Sequence, residues 1–386
     1  VRDEDEEEMV LAKWAEQDHK EKEKEKEQEA PAWDEKKFKR MIWRTRLSIA
    51  RSVVGTLLIL VLIYSVYSIA TQIYFESSGR NTKFVQYVSK LVETHEAGER
   101  LEQMSSSPVK LSTFLTQSVK LKLYRLVGDW EVVTGEITAR KKIFGSITYT
   151  INKTEKYLRS NQHYAFIVPP GLITNGEDGT GNGTGTGASI GTGSSTSTST
   201  SDSTASGAKN EVWDQLRHID DGNVAELAFS TKAGMIPEQL RTRLASYQLH
   251  ITGMPVFAGE LKVWRPGNFS TAGADTFVSP VMLMPFVKYG DDGKSMHSLR
   301  YISQESELQE SQEQLIKDLE WLTAAGNYWG VGDDEKRLSY LKEHGVQIYG
   351  AIVTGPVREL EKLQQEPDFI NFQLGRVEIW NWKENE

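Results

Sequence analysis

The feature that most constrains this chain is the uncharged run from Ser52 to Phe75, within the stretch RSVVGTLLILVLIYSVYSIATQIYFES. As a helix rising about 1.5 Å per residue it reaches about 36 Å, somewhat more than the roughly 30 Å hydrocarbon core of a bilayer. A core helix of that length would carry polar residues wherever its back met water. A cleaved signal would be shorter, sit at the extreme N-terminus and end in small residues; here about fifty mostly polar residues come first, and Tyr74, Phe75 and Glu76 close the run. Tyr64, Tyr67 and Tyr74 lie toward its C-terminal end, where an interfacial aromatic belt belongs. The run is therefore read as one membrane-spanning helix over residues 52–75.

The flanks orient it. Lys36, Lys37, Lys39, Arg40, Arg44, Arg46 and Arg51 precede the span with no acid among them, whereas Arg80, Lys83 and Lys90 follow it among Glu76, Glu93 and Glu96. The positive-inside rule puts residues 1–51 in the cytoplasm and everything after Phe75 outside. The expectation is a single-pass cell-membrane protein with its N-terminus cytoplasmic and its C-terminus extracytoplasmic.

No second uncharged run approaches membrane length in the 386 residues, a length that holds two or three domains. Of the 45 basic and 54 acidic residues, 13 and 15 lie at or before Phe75, leaving 32 and 39 beyond it. An acidic exterior argues against nucleic acid or anionic lipid as its main partner. Cysteine is absent, which excludes disulfides, thiolate metal sites and cysteine nucleophiles, so an exported portion is held by packing alone, as in Gram-positive extracytoplasmic domains. Val1 stands where a start Met is expected, which fits an alternative start codon or a truncated chain.

The cytoplasmic arm, 1–51, combines an acidic head with an alternating Glu/Lys run, the composition of a solvated disordered or helical tail. One patch departs from it: Val10, Leu11 and Trp14 have the spacing of a single helical face, next to Met9 and Ala12, with no neighbouring core to join. These three are the candidate partner-docking residues, while Trp33, Phe38, Ile42 and Trp43 suit anchoring at the bilayer surface. Residues 76–170 read as a stalk and a strand segment. Phe84, Val88, Leu91 and Val92 form a helical stripe that extends the membrane helix, and alternation through Ile143, Ile147, Tyr149 and Ile151 signals a strand or hairpin. Residues 171–210 are a Gly/Thr/Ser-rich linker. From 211 to 386 strands and helices alternate. VAELAFS, QLHITGMPVFAG, VQIYGAIVTG and INFQLGRVEIWNW read as strands, and helices open at Pro237 and near Pro356. Two further helices carry stripes through Leu308, Leu315, Leu319 and Leu322 and through Leu338 and Leu341. The expected fold is a mixed α/β (α+β) domain with a βαβ-like internal repeat, able to fold without the segment before the linker.

No catalytic constellation, cofactor motif or metal-ligand spacing stands out. Gly187-Ala188-Ser189-Ile190-Gly191 matches G-x-S-x-G inside the linker, without the strand and helix a nucleophile elbow needs. Gly293-Lys294-Ser295 lacks the earlier glycine of a phosphate loop, since that place is Lys288, and YGDDGKS reads as a hairpin turn. Asp333 and Asp334, just before a helical pattern, read as N-cap residues, and RHIDDG around His218, Asp220 and Asp221 as a turn.

Two segments carry a family resemblance. WRTRLSIARSVVGTLLILVLIYSVYSIATQIYF resembles the N-terminal module of bacterial sigma-factor regulators of the anti-sigma-M type. VAELAFSTKAGMIPEQL, MPVFAGE and VQIYGAIVTGPVRELEKLQQEPDFINFQLGRVEIWNW are similar to their C-terminal module, above all in the Val353-Thr354-Gly355-Pro356 turn, the Glu359-Leu360-x-x-Leu363 helix and the closing Trp380-Asn381-Trp382. The resemblance implies a non-enzymatic membrane anti-sigma factor. Such a protein sequesters an extracytoplasmic-function sigma factor at the inner face, directly or through a second membrane regulator, and releases it on envelope stress, with the bilayer and an unidentified envelope ligand as further partners. The family supplies no catalytic residues. The Gly/Thr/Ser insert is unusually long, and the arm lacks the His and Cys ligands of zinc-type anti-sigma factors. The alternative is an envelope-facing binding or scaffold module whose cytoplasmic tail does nothing specific. A cell-wall hydrolase fits worse, for want of a nucleophile or an acid/base pair.

The charge asymmetry has a direct check: protease added to intact protoplasts should digest residues beyond about Gly79 and spare an N-terminal tag. Loss of the tag would reverse the orientation.

Overall fold

The computed structural model describes residues 4–27, 35–102, 109–112, 114–143, 145–153, 163–173, 205–290, 295–326 and 328–382. Most of the Gly/Thr/Ser tract, with Gly187–Gly191, lies outside them, as do residues 291–294 of the YGDDGKS turn. The chain divides into two compact units, Val1–Ala70 and Thr71–Glu386.

The first unit is helical. Helix α1 covers Glu4–Glu27 and carries (i, i+4) ion pairs Lys20–Glu16 (2.8 Å) and Lys22–Asp18 (2.6 Å). Helix α2 covers Glu35–Ser77, 43 residues without a break, so the run read as a span is the C-terminal part of a longer rod whose basic N-terminal turns share its axis. It is the one helix among the described residues long and apolar enough to cross a membrane, and none of its most apolar stretch is buried against protein.

The second unit takes in the end of α2 from Thr71. Gly79 follows in the left-handed region (φ 65°), a conformation that costs glycine little, and the chain restarts as α3, Arg80–His95. The sequence reading made Phe84, Val88, Leu91 and Val92 a stalk continuous with the membrane helix; Gly79 ends that continuity, and all four side chains are buried. They pack on a five-stranded antiparallel sheet of β1 (Arg100–Leu101), β2 (Lys110–Leu111), β3 (Gln117–Val127), β4 (Trp130–Lys141) and β5 (Ile147–Lys153), where Val119, Leu121, Leu123, Ile137 and Ala139 face them. The strand signal at 143–151 falls on the turn between β4 and β5 and on β5.

After α4 (Ala205–Arg217), whose first residues overlap the end of the expected linker, come β6 (Asn223–Met235), α5 (Pro237–Leu244) and β7 (His250–Phe257). An insertion follows with β8 (Phe269–Ala272), β9 (Asp275–Val278), β10 (Val281–Leu283), β11 (Val287–Tyr289), β12 (Met296–Ser298), α6 (Glu305–Ala325) and α7 (Val331–His344). The chain closes with β13 (Gln347–Pro356), α8 (Val357–Lys362) and β14 (Phe369–Ile379). Pro237 occupies the first turn of α5, as its fixed φ favours, and β11 and β12, on either side of residues 291–294, pair antiparallel.

The second sheet runs β10-β7-β13-β6-β14, antiparallel throughout. Both β6-α5-β7 and β13-α8-β14 are thus split β-α-β units: the strands within each unit are parallel, but a strand of the other unit lies between them. The interlocking of the two units depends on β13 entering between β6 and β7 from nearly a hundred residues away, which no local pattern indicates. One face of β6, with Ala225, Leu227 and Phe229, packs under α4, α5, α6 and α8 through Trp213, Leu240, Leu315 and Leu360. The other face, with Ala228, lies under Tyr164, Phe166 and Val168 of the strip 163–173, and the Ile167 amide donates to Ser230 Oγ at 2.9 Å. Covered on both faces, these strands read as near-continuous apolar runs.

The two sheets do not pair, yet they share a core. Leu322 of α6 and Tyr328 join the cluster built on α3 and β3, and Arg100 donates to the carbonyls of Leu299 (2.8 Å) and Pro285 (3.0 Å). A fragment of residues 211–386 would uncover these contacts. It should unfold at a lower urea concentration than a fragment of residues 78–386, and equal midpoints would place the domain boundary at 211.

Candidate functional site

In the arm, α1 makes the patch helical and leaves it bare: Trp14 is 68% exposed, Val10 53% and Met9 60%. The side chain of Leu11 lies outside those described. An exposed Trp on a helix with no core beneath it gains nothing from burial in this chain. The basic residues Lys36, Lys37, Lys39, Arg40, Arg44, Arg46 and Arg51 all lie on the exposed N-terminal half of α2.

In the larger unit the chemistry is buried and ionic. Arg125, near the end of β3, sets its Nε 2.9 Å from Glu99 Oε1 and its Nη1 3.7 Å from Glu226 Oε2, with all three side chains essentially inaccessible. Tyr164 donates its hydroxyl to Glu226 (2.5 Å) and lies under the guanidinium, 4.7 Å from ring centroid to Cζ. Thr134 donates to Glu99, and Lys153 stands 3.3 Å from the same carboxylate. Burial alone would lower the Arg125 pKa, but Glu99 and Glu226 raise it, so the guanidinium stays charged. Burial lifts the Glu226 carboxyl, and Arg125 offsets part of that rise. Gly375 of β14 is required beside them: a Cβ there would stand 1.9 Å from the Tyr164 hydroxyl and 2.8 Å from Glu226 Oε2.

A second cluster ties α3 to α7. Asp334 accepts from Arg337 Nη1 (2.8 Å) and the Tyr328 hydroxyl (2.6 Å) and lies 2.9 Å from His95 Nε2, while Arg337 also reaches Glu260 (3.0 Å). Burial would raise the Asp334 carboxyl, but His95, Arg337 and Tyr328 bring it down to about 2. The sequence reading made Asp333 and Asp334 N-cap residues. The cap is Gly330, and Asp334 instead turns inward as the acceptor of this cluster. Farther along α3, Lys90 pairs with Asp318, and burial pushes Glu93 up to about 7 despite the nearby Arg100 charge. His218 bonds back to the Asp214 carbonyl (2.6 Å) and Asn223 to that of Asp220 (3.0 Å), a turn as expected.

Of these groups Glu93 and Asp318 line a small cavity of about 20 Å³, and the Arg125 and Asp334 clusters pair among themselves. A cleft of about 430 Å³ is lined by Glu238, Glu305, Gln312 and Glu313, and Gln312 donates to Glu238 (2.7 Å) within it. Among the described residues no three His, Cys, Asp or Glu side chains are placed to hold a metal ion. What the arrangement does is lock two sheets together; its positions, 99, 125 and 226, carry no periodic signal that could have revealed it.

Residues 216–376 match the family model described as sigma factor regulator C-terminal. The match makes this segment similar to sigma factor regulator C-terminal domains, and it is called the regulator domain on that ground. The regulator domain runs from the end of α4 into β14 and so contains the whole split β-α-β sheet with its insertion, while α1, α2, α3 and the β1–β5 sheet lie before it. The chain is also similar to a probable anti-sigma-M factor, YhdL, of Bacillus subtilis (strain 168), 38% identical over 48 residues, or 12% of this chain and 13% of that protein. No solved structure matches the chain.

The Glu93 carboxyl, which belongs to α3 but lies against the insertion of the regulator domain, gives a pH signature. Raised from 4.5 to about 7 on folding, it is protonated in both states below pH 4.5, and it lowers stability as pH climbs through 7 because folding then opposes its ionisation. Glu93→Gln should raise the urea midpoint at pH 8 and leave it unchanged at pH 4; equal shifts at both would locate the effect in packing.

Proposed function

We infer that this protein is a membrane-anchored anti-sigma factor, with residues 1–51 in the cytoplasm, α2 crossing the bilayer and the regulator domain outside. The family match of residues 216–376 carries the reading. The similarity to a protein named as a probable anti-sigma-M factor and the single long apolar helix support it. The mechanism is tethering with occlusion: the arm covers a surface that an extracytoplasmic-function sigma factor needs for polymerase, the anchor keeps the complex away from the chromosome, and envelope stress releases it. Regulation here is by binding, so the residues that matter are those that dock, Val10, Leu11 and Trp14, and those that orient the span, from Lys36 to Arg51. A second membrane regulator interposed between arm and sigma factor satisfies the same logic. The boundaries 1–51, 52–75, 76–170, 171–210 and 211–386 are proposed as cytoplasmic arm, transmembrane helix, extracytoplasmic stalk and strand segment, Gly/Thr/Ser-rich linker and sigma-regulator C-terminal-like α/β domain.

Trp14 tests the docking half. Truncating an interface hot spot costs about 2 kcal/mol or more, so Trp14→Ala should weaken capture of the sigma factor, or of a regulator bound to it, by roughly thirtyfold. Membrane insertion, which rests on residues after Lys36, should be unchanged. If partner capture by the full chain is unaltered and only the arm's association with liposomes falls, Trp14 is a bilayer anchor. Recovery of no sigma factor and no regulator would favour the scaffold alternative.

A further inference from the structure

We propose that the membrane-proximal end of the larger unit is itself a bilayer-docking surface, with three apolar tips seated at the headgroup level and a basic collar taking anionic phospholipid headgroups. It rests on the reading of α2 as a bilayer span. The juxtaposition follows a continuous row of contacts. Asn81, in the first turn of α3 and four residues past the end of α2, accepts from Gln117 Nε2 (2.8 Å). Gln117 is paired with Lys141 across β3 and β4, Lys141 with Ile147 across β4 and β5, and Ile147 bridges to Tyr328. All four chain segments therefore end at one edge of the first sheet, the edge whose Asn81 is nearest in the chain to the end of α2.

What lies just beyond that row is apolar and exposed, as are Trp130, Ile379 and Trp380 at the far end, but here the apolar tips stand among basic residues. The turn between β2 and β3 carries Phe114, 88% exposed; the turn between β4 and β5 carries Ile143, 44% exposed; and Trp329 follows Tyr328 at 82% exposed. Three separate turns each put a large apolar side chain into solvent at one end, where an isolated soluble domain would bury or replace it. Aromatic and aliphatic tips beside a membrane span suit the interfacial belt. The same end is basic: Arg80, Lys83, Lys110, Arg140 and Lys142 are exposed, with Lys141 half-buried among them. Its acids nearest in the chain are Glu76, Glu136, Asp333 and Glu335; Glu136 has Lys120 at 2.5 Å and Asp333 has Lys336 at 3.6 Å. In a region whose sequence carries more acids than bases overall, this collar is a local reversal of sign, the arrangement that anionic headgroups attract. It makes anionic lipid a contact of one end only, consistent with the acidic balance of the rest.

The far end of the same unit supplies an internal control. Strand β3 has eleven residues, so its ends stand roughly 34 Å apart. At the distal end Trp130 donates its indole N–H to the Ile379 carbonyl (3.2 Å), and Ile379 is 67% exposed there.

Because the chain lacks cysteine, single thiols can be placed at will. The full chain would carry a nitroxide at Phe114→Cys, Ile143→Cys or Trp329→Cys, with Leu60→Cys inside the span and Ile379→Cys at the distal end. Each would be reconstituted in vesicles of phosphatidylcholine alone or mixed with phosphatidylglycerol. Accessibility to oxygen relative to a water-soluble nickel chelate reads depth. In anionic vesicles the three rim labels should favour oxygen about threefold more than the Ile379 label, and the preference should shrink in pure phosphatidylcholine and in Lys141→Glu/Lys142→Glu. Rim labels that behave like Ile379 while Leu60 reports hydrocarbon would overturn the docking surface and leave the span intact. A Leu60 label in water would overturn the span reading, and the proposal with it. Equal depth in both vesicle types would overturn the headgroup contact.

Discussion

The larger unit depends on one buried cation. Arg125 reaches from the end of one sheet to the face of the other, where Glu99 and Glu226 receive it and Tyr164 closes over its plane. Removing a charged group from water costs several kcal/mol, repaid only if the geometry is good and the remaining lone pairs find donors. Here Thr134 and Lys153 serve Glu99, and the Tyr164 hydroxyl serves Glu226. An ionic joint of this kind adds little net stability over a well-packed apolar one, but it fixes the angle and register at which the two layers meet, since a displaced sheet would strand a charge.

Around that joint the rest is ordinary packing arranged in an unusual order. The regulator domain's split sheet covers one face with its own helices and leaves the other to residues 163–173, which come before the domain in the chain. Its insertion between β7 and β13 then sends α6 and α7 back to α3. The segment that follows the membrane helix is thus held by the domain the family model recognises, through apolar contacts and the His95–Asp334 pair, rather than standing apart as a stalk.

Local elements were legible in the sequence because local physics decides them. Pro237 starts α5, Leu308, Leu315 and Leu319 set the buried face of α6, and the near-continuous apolar runs of β6 and β13 mark strands covered on both sides. Assembly was not legible, because it is set by pairs far apart in the chain. Nothing in the spacing of Asp334 distinguishes an N-cap from the anchor of a buried cluster, and nothing near Phe84 or Val88 says that their apolar face meets Leu322 rather than water. For the candidate site the split is similar: Val10 and Trp14 could be found as an apolar interruption in a charged arm, whereas Glu99, Arg125 and Glu226 show their relation only once the sheets are in contact.

The shared core also governs how the chain can be made. The cluster on α3 and β3 is completed by Leu322 and Tyr328, more than two hundred residues after Phe84, so the early half cannot close until nearly the whole polypeptide is available. Contacts of such separation slow folding, and until they form the first sheet keeps an open apolar face and Arg125 waits for Glu226. For a chain without disulfides to hold intermediates together, the time between emergence of the first sheet and arrival of the last helices is a window of exposure to proteases and to aggregation. The masking of that sheet by α6 is therefore the step that ends its vulnerability.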